Sequence, residues 1–457
     1  MEKIVLTVAI FGFLMQSQGA FAKSLEDVLK EKGVITEEDY KEVTQSKPFN
    51  YTPGQGYSLM SEDGNYKLTI GAQLQLQYAF LGADNDANKG ATVSDYSKFS
   101  LRRAKLLLSG NAYTKDLTYL MNINFANLAS SSTYLGGGIT SNNGGVLEET
   151  YLQYRIIDEA QLRFGQDKVQ FGRGFITSSS KLQFVDVSNI TNAFVPGYDT
   201  GLSLNGDILA GLVRYTVGVY GGAGQDTART SGDNAFSARI VFNPLGNMKY
   251  CESDVEYSDK PLLSIAGSYF KDTLKKTTLA TPVAGSLESN NSYFDKPVSL
   301  SSSSPGGWFS LGQSIAGAQP FKLNEHVYFD MYGADAAFKW KGFSFQGEYF
   351  LAMANGESSH SEQIGQGFYV QSGYFVIPKK LELAARYAYM DPNRNFTNDH
   401  WSETTGAVSW YINDHNLKIQ TDYSDIHRQG WFATTGAGAN AKSSDDSLFR
   451  LQAQLLF

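Results

Sequence analysis

Residues Leu448 to Phe457, LFRLQAQLLF, set the reading of the whole chain. Successive side chains of an extended strand point to opposite faces. Phe449, Leu451, Ala453, Leu455 and Phe457 therefore share one face, and Arg450, Gln452 and Gln454 share the other. A strand that is apolar on one side and carries Arg and Gln on the other suits a wall between lipid and water, as in a transmembrane β-barrel. One such segment would equally suit a soluble sandwich, so its meaning depends on repetition.

Working back from the end, the same texture recurs. Leu68, Ile70, Ala72, Leu74, Leu76, Tyr78 and Phe80 alternate with Lys67, Thr69, Gly71, Gln73, Gln75 and Gln77. Similar segments predict strands over 99–110, 117–128, 146–157, 160–168, 199–205, 209–220 and 234–242. In the second half they recur over 262–270, 327–340, 343–353, 367–376, 381–390, 403–412, 417–424 and 447–457. Sixteen antiparallel strands are the expectation, a size that encloses an aqueous channel.

The connections alternate in length. Long ones are expected over 82–97, 129–145, 169–198, 221–233, 271–326, 354–366, 391–402 and 425–446, with short ones between them. Only 243–261 is long where a short turn is due. Outer-membrane barrels combine short periplasmic turns with long external loops, and a soluble sandwich gives no reason for that alternation.

Composition agrees with an all-β membrane protein. The 457 residues include 27 Tyr, 29 Phe and 45 Gly against 11 Pro, and only 18% are charged. Beyond residue 22 no stretch supplies the eighteen or so apolar residues of a membrane helix, so a membrane would be crossed by strands. Residues 1–22, with Lys3, an apolar run from Ile4 to Met15 and the Ala20-Phe21-Ala22 cleavage pattern, read as a secretory signal peptide. Residues 23–66 read as a helical periplasmic extension and linker: Leu25, Val28 and Leu29 form a helical stripe ending at Gly33, and Thr36 with Asp39 suggests a second N-cap. The barrel is expected over 67–457.

Other function classes find little support. Cys251 is the single cysteine, which excludes an intrachain disulfide and a Cys-based metal site. A net charge of −8 argues against nucleic acid as a partner. The five histidines sit in or beside loops, with no H-E-x-x-H and no G-x-S-x-G, so neither catalysis nor a cofactor is expected.

Several stretches resemble the family of phosphate-selective porins O and P. They are Phe99-Ser-Leu-Arg-Arg-Ala (99–104), Leu162-Arg-Phe-Gly-Gln (162–166), Gly367-Phe-Tyr-Val-Gln-Ser-Gly-Tyr-Phe (367–375), Leu381-Glu-Leu-Ala-Ala-Arg-Tyr (381–387) and the C-terminal strand. The resemblance implies a sixteen-stranded outer-membrane barrel, usually a homotrimer, with a ladder of basic residues in a lumen narrowed by an infolded third loop. It also implies that the terminal aromatic, Phe457, is read by the barrel assembly machinery. Two departures stand out: Gln170-Phe171-Gly172-Arg173 replaces the family's frequent Pro-Phe pair, and the fifth loop, 271–326, is unusually long.

If the apolar face of each strand meets outer-membrane lipid, Lys67, Lys105, Arg155, Arg163, Arg214, Arg239, Lys339, Arg386, Lys418 and Arg450 point inward. The inward acids by the same rule are fewer: Glu149, Asp167, Asp335, Glu348, Glu382 and Asp422. An excess of positive charge between low-dielectric walls focuses the field that an anion path needs. Arg102 and Arg103 are adjacent, so a regular strand cannot turn both to water; either a bulge does so or one lies near the rim. By resemblance the pair matches arginines of the anion ladder. Arg173 and Lys181 become constriction candidates if the third loop folds in. The expected function is a passive, anion-guiding pore for small anions such as phosphate; the alternatives are a porin without selectivity or a surface-binding barrel.

Overall fold

A computed structural model describes residues 29–30, 32–34, 36, 49–84, 95–126, 146–222, 224–225, 232–275, 325–395, 400–429 and 443–457. The chain divides into two compact units, Met1–Asn50 and Tyr51–Phe457. In the first, Leu29 and Lys30 are helical, and Gly33 at φ 67° closes the turn with its N–H on Lys30 O at 2.9 Å. A helical extension of two helices is not supported beyond this turn, because the rest of 23–48 lies outside the described residues apart from 32–34 and 36. The expected signal peptide, 1–22, lies outside them as well.

The strands, in chain order, are β1 (Phe49–Thr52), β2 (Gly56–Met60), β3 (Lys67–Gly82), β4 (Tyr96–Asn111), β5 (Leu117–Asn124), β6 (Leu147–Ile157), β7 (Ala160–Lys168), β8 (Tyr198–Ile208) and β9 (Val213–Tyr220). They continue with β10 (Ala235–Phe242), β11 (Leu262–Lys275), β12 (His326–Trp340), β13 (Phe343–Gly356), β14 (Glu362–Ile377), β15 (Leu381–Asp391), β16 (Trp401–Asn413), β17 (Leu417–Arg428) and β18 (Ser444–Leu456). From β3 to β18 each strand pairs antiparallel with the next, and β18 returns to β3, closing a barrel of sixteen strands. Every segment expected from period-two alternation corresponds to one of these strands.

Closure removes the free edges that an open sheet would expose. At the seam Gln452 lies opposite Gln77 and Gln454 opposite Gln75. Phe457 and Ala72 exchange both backbone hydrogen bonds, at 2.7 and 3.1 Å. Just beyond, Tyr57 to Met60 of β2 pair with Ile70 to Lys67, so β2 extends the line of β18 along the same edge of β3. Residues 57–60, within the stretch expected as extension and linker, therefore contribute wall. Gly71 stands at this junction, where a Cβ would meet Gln55 O at 2.5 Å; only glycine allows the approach.

Exposure confirms which face meets lipid. Leu74, Leu76, Phe80, Phe99, Leu101, Phe164, Tyr374, Tyr423 and Phe457 are exposed on the outside, whereas Gln73, Gln75, Arg239, Glu382, Arg386 and Arg450 are buried within. The short turns fall at one end, among them Lys341-Gly342, both at positive φ as a tight hairpin demands. The sixth external connection shrinks to 357–361, because β13 and β14 remain paired up to Asn355 and Glu362. The expected fifth loop lies almost wholly outside the described residues.

The third loop, 169–197, folds into the barrel. It carries two short helices, α1 (Arg173–Ile176) and α2 (Asn189–Phe194), with a 3-10 turn between them at Ser179–Lys181. Phe171, Phe175, Ile190 and Phe194 pack against lumen-facing Phe329, Met331, Phe350, Tyr369 and Trp401. Phe194 stacks on Phe350 with centroids 5.7 Å apart and planes within 4°. Each such ring buried from water contributes roughly 1.5–3 kcal/mol. An apolar core inside the barrel was not among the expectations, which concerned only the inward charges. On strands such as β12 both faces are apolar near the external end, one toward lipid and one toward this core.

Candidate functional site: a charged chamber beside the third loop

Beside that core, which it meets at Phe175 and Tyr198, the lumen stays polar, and the local reason is a bulge. Gln75 of β3 pairs with Arg103 of β4 and Leu76 with Leu101, leaving Arg102 as the extra residue. Both guanidinium groups consequently face inward. Arg102 donates from Nε to Asp186 Oδ2 at 3.0 Å and from Nη2 at 2.5 Å; Arg103 donates from Nη2 to Asp186 Oδ1 at 3.2 Å and from Nη1 to Gln75 Oε1 at 2.7 Å. Asp186 belongs to the third loop, so the pair ties wall to loop. Burial works to raise the Asp186 carboxyl, but the charges of Arg102, Arg103 and Arg450 overcome it and hold it below the ordinary carboxylate value.

A second bulge faces the first. Asn122 pairs with Glu149 and Ile123 with Leu147, so Glu148 is extra and turns inward beside Glu149. Glu148 pairs with Lys105 and accepts from Asn124 at 2.8 Å. Lys168 donates to the carbonyls of Phe175, Ile176 and Thr177 at the end of α1, at 2.7 to 3.3 Å. Between them lies a cavity of about 160 Å³ whose lining includes Arg102, Arg103, Lys105, Lys168, Glu148, Glu149, Asp186, Gln73 and Asn122.

The remaining candidates are dispersed. Arg163 pairs with Asp167, bonds Gln153 and lies 4.1 Å above the Tyr151 ring. Arg239 pairs with Asp335 at 2.6 Å. Arg386 donates to Asp186 O at 3.0 Å, reaches Glu403 at 3.4 Å and covers Phe184. Arg173 is buried on Gln346, Ser264 and Met248, at 3.2 Å each, and is not among the residues that line this cavity. Lys181 sits in the 3-10 turn, its carbonyl accepting from Glu252 N at 3.1 Å. Arg155 and Arg214 stand near the periplasmic rim, Arg155 on Asp116 and Asp158, Arg214 on Asp207 at 2.7 Å. The structure thus gathers Arg102, Arg103 and Lys105 but not Arg155 or Arg173.

Sequence reasoning passed over Glu148, Lys168 and Glu403. Glu148 carried a signal, since two adjacent acids within a strand pose the same problem as two adjacent arginines. Among the described residues no group of three or more His, Cys, Asp or Glu is placed to hold a metal.

A closed barrel with an apolar exterior and a charged chamber beside an infolded loop defines an outer-membrane channel protein. Residues 70–299 and 308–457 match the family Phosphate-selective porin O and P, and the chain belongs to it. A protein of Aquifex aeolicus (strain VF5), described only as uncharacterized, is 22% identical over 92% of this chain and 93% of its own length. Two solved structures share the fold. The outer membrane channel DcaP of Acinetobacter baumannii is 13% identical, covering 88% of this chain and all of its own, with a TM-score of 0.51. An anion-selective porin from Comamonas acidovorans is 10% identical over 85% of this chain and 99% of its own, with a TM-score of 0.50.

Proposed function

We propose that this porin guides small anions, phosphate among them, across the outer membrane by passive diffusion past Arg102 and Arg103. The observation that carries the reading is an asymmetry of exposure. The Arg102 and Arg103 side chains keep 20% and 13% of their surface, while the Asp186 that balances them keeps 1%. An ion in the chamber meets these guanidinium groups ahead of the Asp186 carboxylate, and the lining as a whole sets Arg102, Arg103, Lys105 and Lys168 against Glu148, Glu149 and Asp186. Guanidinium suits phosphate because its planar fork donates two parallel hydrogen bonds to neighbouring oxygens. Exchange of these bonds against water and Asp186 keeps the hold weak enough for release.

A weakly selective porin is the second reading. It is favoured by the pairing of Lys105, Arg239, Arg386 and Arg450 with Glu148, Asp335, Glu403 and Asp422, which cancels much of the expected ladder. Single-channel recording across a potassium chloride gradient separates the two. A reversal potential on the anion side, with phosphate lowering chloride conductance, supports the proposal; a potassium-selective potential overturns it. We further propose export through residues 1–22, a periplasmic extension ahead of the wall strand 56–60, a barrel over 67–457 that assembles through Phe457, and a homotrimer.

A further inference from the structure

The connection 243–261, between β10 and β11, is long at the end of the barrel where its neighbours are short. A surface turn would leave its polar residues in water. Here Glu252, Ser253 and Asp254 are buried. The backbone of this segment reaches into the lumen: Ser253 O accepts from Lys339 Nζ of β12 at 2.8 Å. Ser253 Oγ lies 2.8 Å from Glu382 Oε2 of β15 and 2.8 Å from the Tyr411 hydroxyl of β16. Asp254 Oδ2 accepts from Gly342 N at 2.8 Å, fixing the segment to the β12–β13 turn.

The tip of the segment meets the third loop coming from the opposite mouth. Glu252 N donates to Lys181 O at 3.1 Å, and Gln183 N donates to Glu252 Oε2 at 2.8 Å. Buried polar groups that satisfy one another in this way rigidify both partners. These wall anchors come from β12, β15 and β16, whereas the charged chamber is walled by β3 to β8, and no residue of 243–261 lines it.

We infer that 243–261 is a periplasmic plug that props the third loop and seals the β12–β17 side of the lumen, leaving the Arg102–Arg103 side as the route for ions. Glu252 and Ser253 are positioning residues: they act on the solute through the loop they hold. The part of the inference that concerns selectivity rests on the anion-guiding reading, and the part that concerns occlusion does not.

Replacing residues 248–256 with a short Gly-Ser link, in the full chain reconstituted in planar bilayers, opens a second path. Single-channel conductance should rise about two-fold or more, because water then fills a section now packed with protein, and the reversal potential should move toward zero. Native conductance and native reversal potential in a correctly folded variant would overturn the plug. If the unaltered protein proves unselective, the anion reading fails, and the conductance change alone still decides the plug.

A milder variant guards against failure to fold. Cys251, the single thiol, lies 3.2 Å from His415 Nε2 while the plug is seated. A charged methanethiosulfonate reagent should modify it slowly in the native protein and several-fold faster when Ser253→Ala and Asp254→Ala remove the anchors. Equal rates in the two proteins would overturn the inference.

Discussion

Arg102 of β4 and Asp186 of the third loop are joined through both Nε and Nη2, at 3.0 and 2.5 Å. Because Arg102 is the residue that the bulge leaves without an opposite number, the irregularity in the wall and the infolding of the loop are one construction. Asp186 also accepts from Arg103, so a single buried carboxylate holds two cations at the surface of the chamber.

Opposite substitutions at this contact should act in opposite directions on ion preference. Arg102→Gln or Arg103→Gln removes a charge worth on the order of 1 kcal/mol to an anion about 4 Å away in water, a several-fold drop in the anion-to-cation permeability ratio. Asp186→Asn exposes both guanidinium groups to the ion and should raise that ratio. Reversal potentials measured in asymmetric potassium chloride check both. A purely structural role would shift all three variants alike.

Loop anchorage should depend on pH through Asp186. Its folded-state pKa lies below the ordinary 3.8, so the unfolded chain takes up the proton first on acidification. The stabilisation is complete above 3.8 and is lost as the pH falls through the lower folded value. Channel noise from a loosened loop should therefore stay at its neutral level down to about pH 4. Asp186→Asn should show raised noise at every pH.

His415, in the turn before β17, tests the periplasmic end in the same way. Burial first, and then the charges of Lys418, Lys181 and Lys339, push its pKa well below 6.5. The released state binds a proton that the seated state does not, so stability falls as the pH drops below 6.5 toward the lowered value. Thiol modification of Cys251, taken at each pH relative to a free thiol so that the loss of thiolate cancels, should accelerate as the pH falls from 6.5 to 5, and His415→Gln should flatten that dependence.

Phe194→Ala removes the ring stacked on Phe350 and leaves a cavity in the lumen's apolar core. The cost is about 3–5 kcal/mol, concentrated on the contact between α2 and the β13 wall. The expected result is a lower thermal midpoint by circular dichroism, with conductance fluctuating between levels. An unchanged midpoint would show that the loop is held by its polar anchors alone.

Deleting Phe457 removes both backbone bonds to Ala72 and the last ring on the lipid face. Surface assembly should fall sharply while channels that do insert keep native selectivity. Quantifying folded barrel by its shifted migration without heating provides the check.

The strand pattern was written locally, so the sequence alone determined the sixteen strands, their lipid and lumen faces and the uneven lengths of most connections. Lipid demands an apolar side chain at every second position, and LFRLQAQLLF obeys that rule as plainly as the strand with which it pairs. The adjacent arginines announced a bulge as one of two possibilities, and Glu148 beside Glu149 announced another that went unread. Only the tertiary structure decided where the charges ended. Period two gives the face of Arg155, Arg173 and Arg239 or their loop, but not the partner that reaches them across the lumen. Asp186, Glu403 and the 243–261 segment come from positions distant in the chain, and their contacts depend on which connections turn inward. The short strand 56–60 joined the wall for the same reason: the edge of β3 beyond Phe457 was unpaired, and backbone hydrogen bonding recruited the nearest chain to fill it, with Tyr57 and Leu59 exposed and Ser58 on Thr69, an alternation too brief to read from sequence.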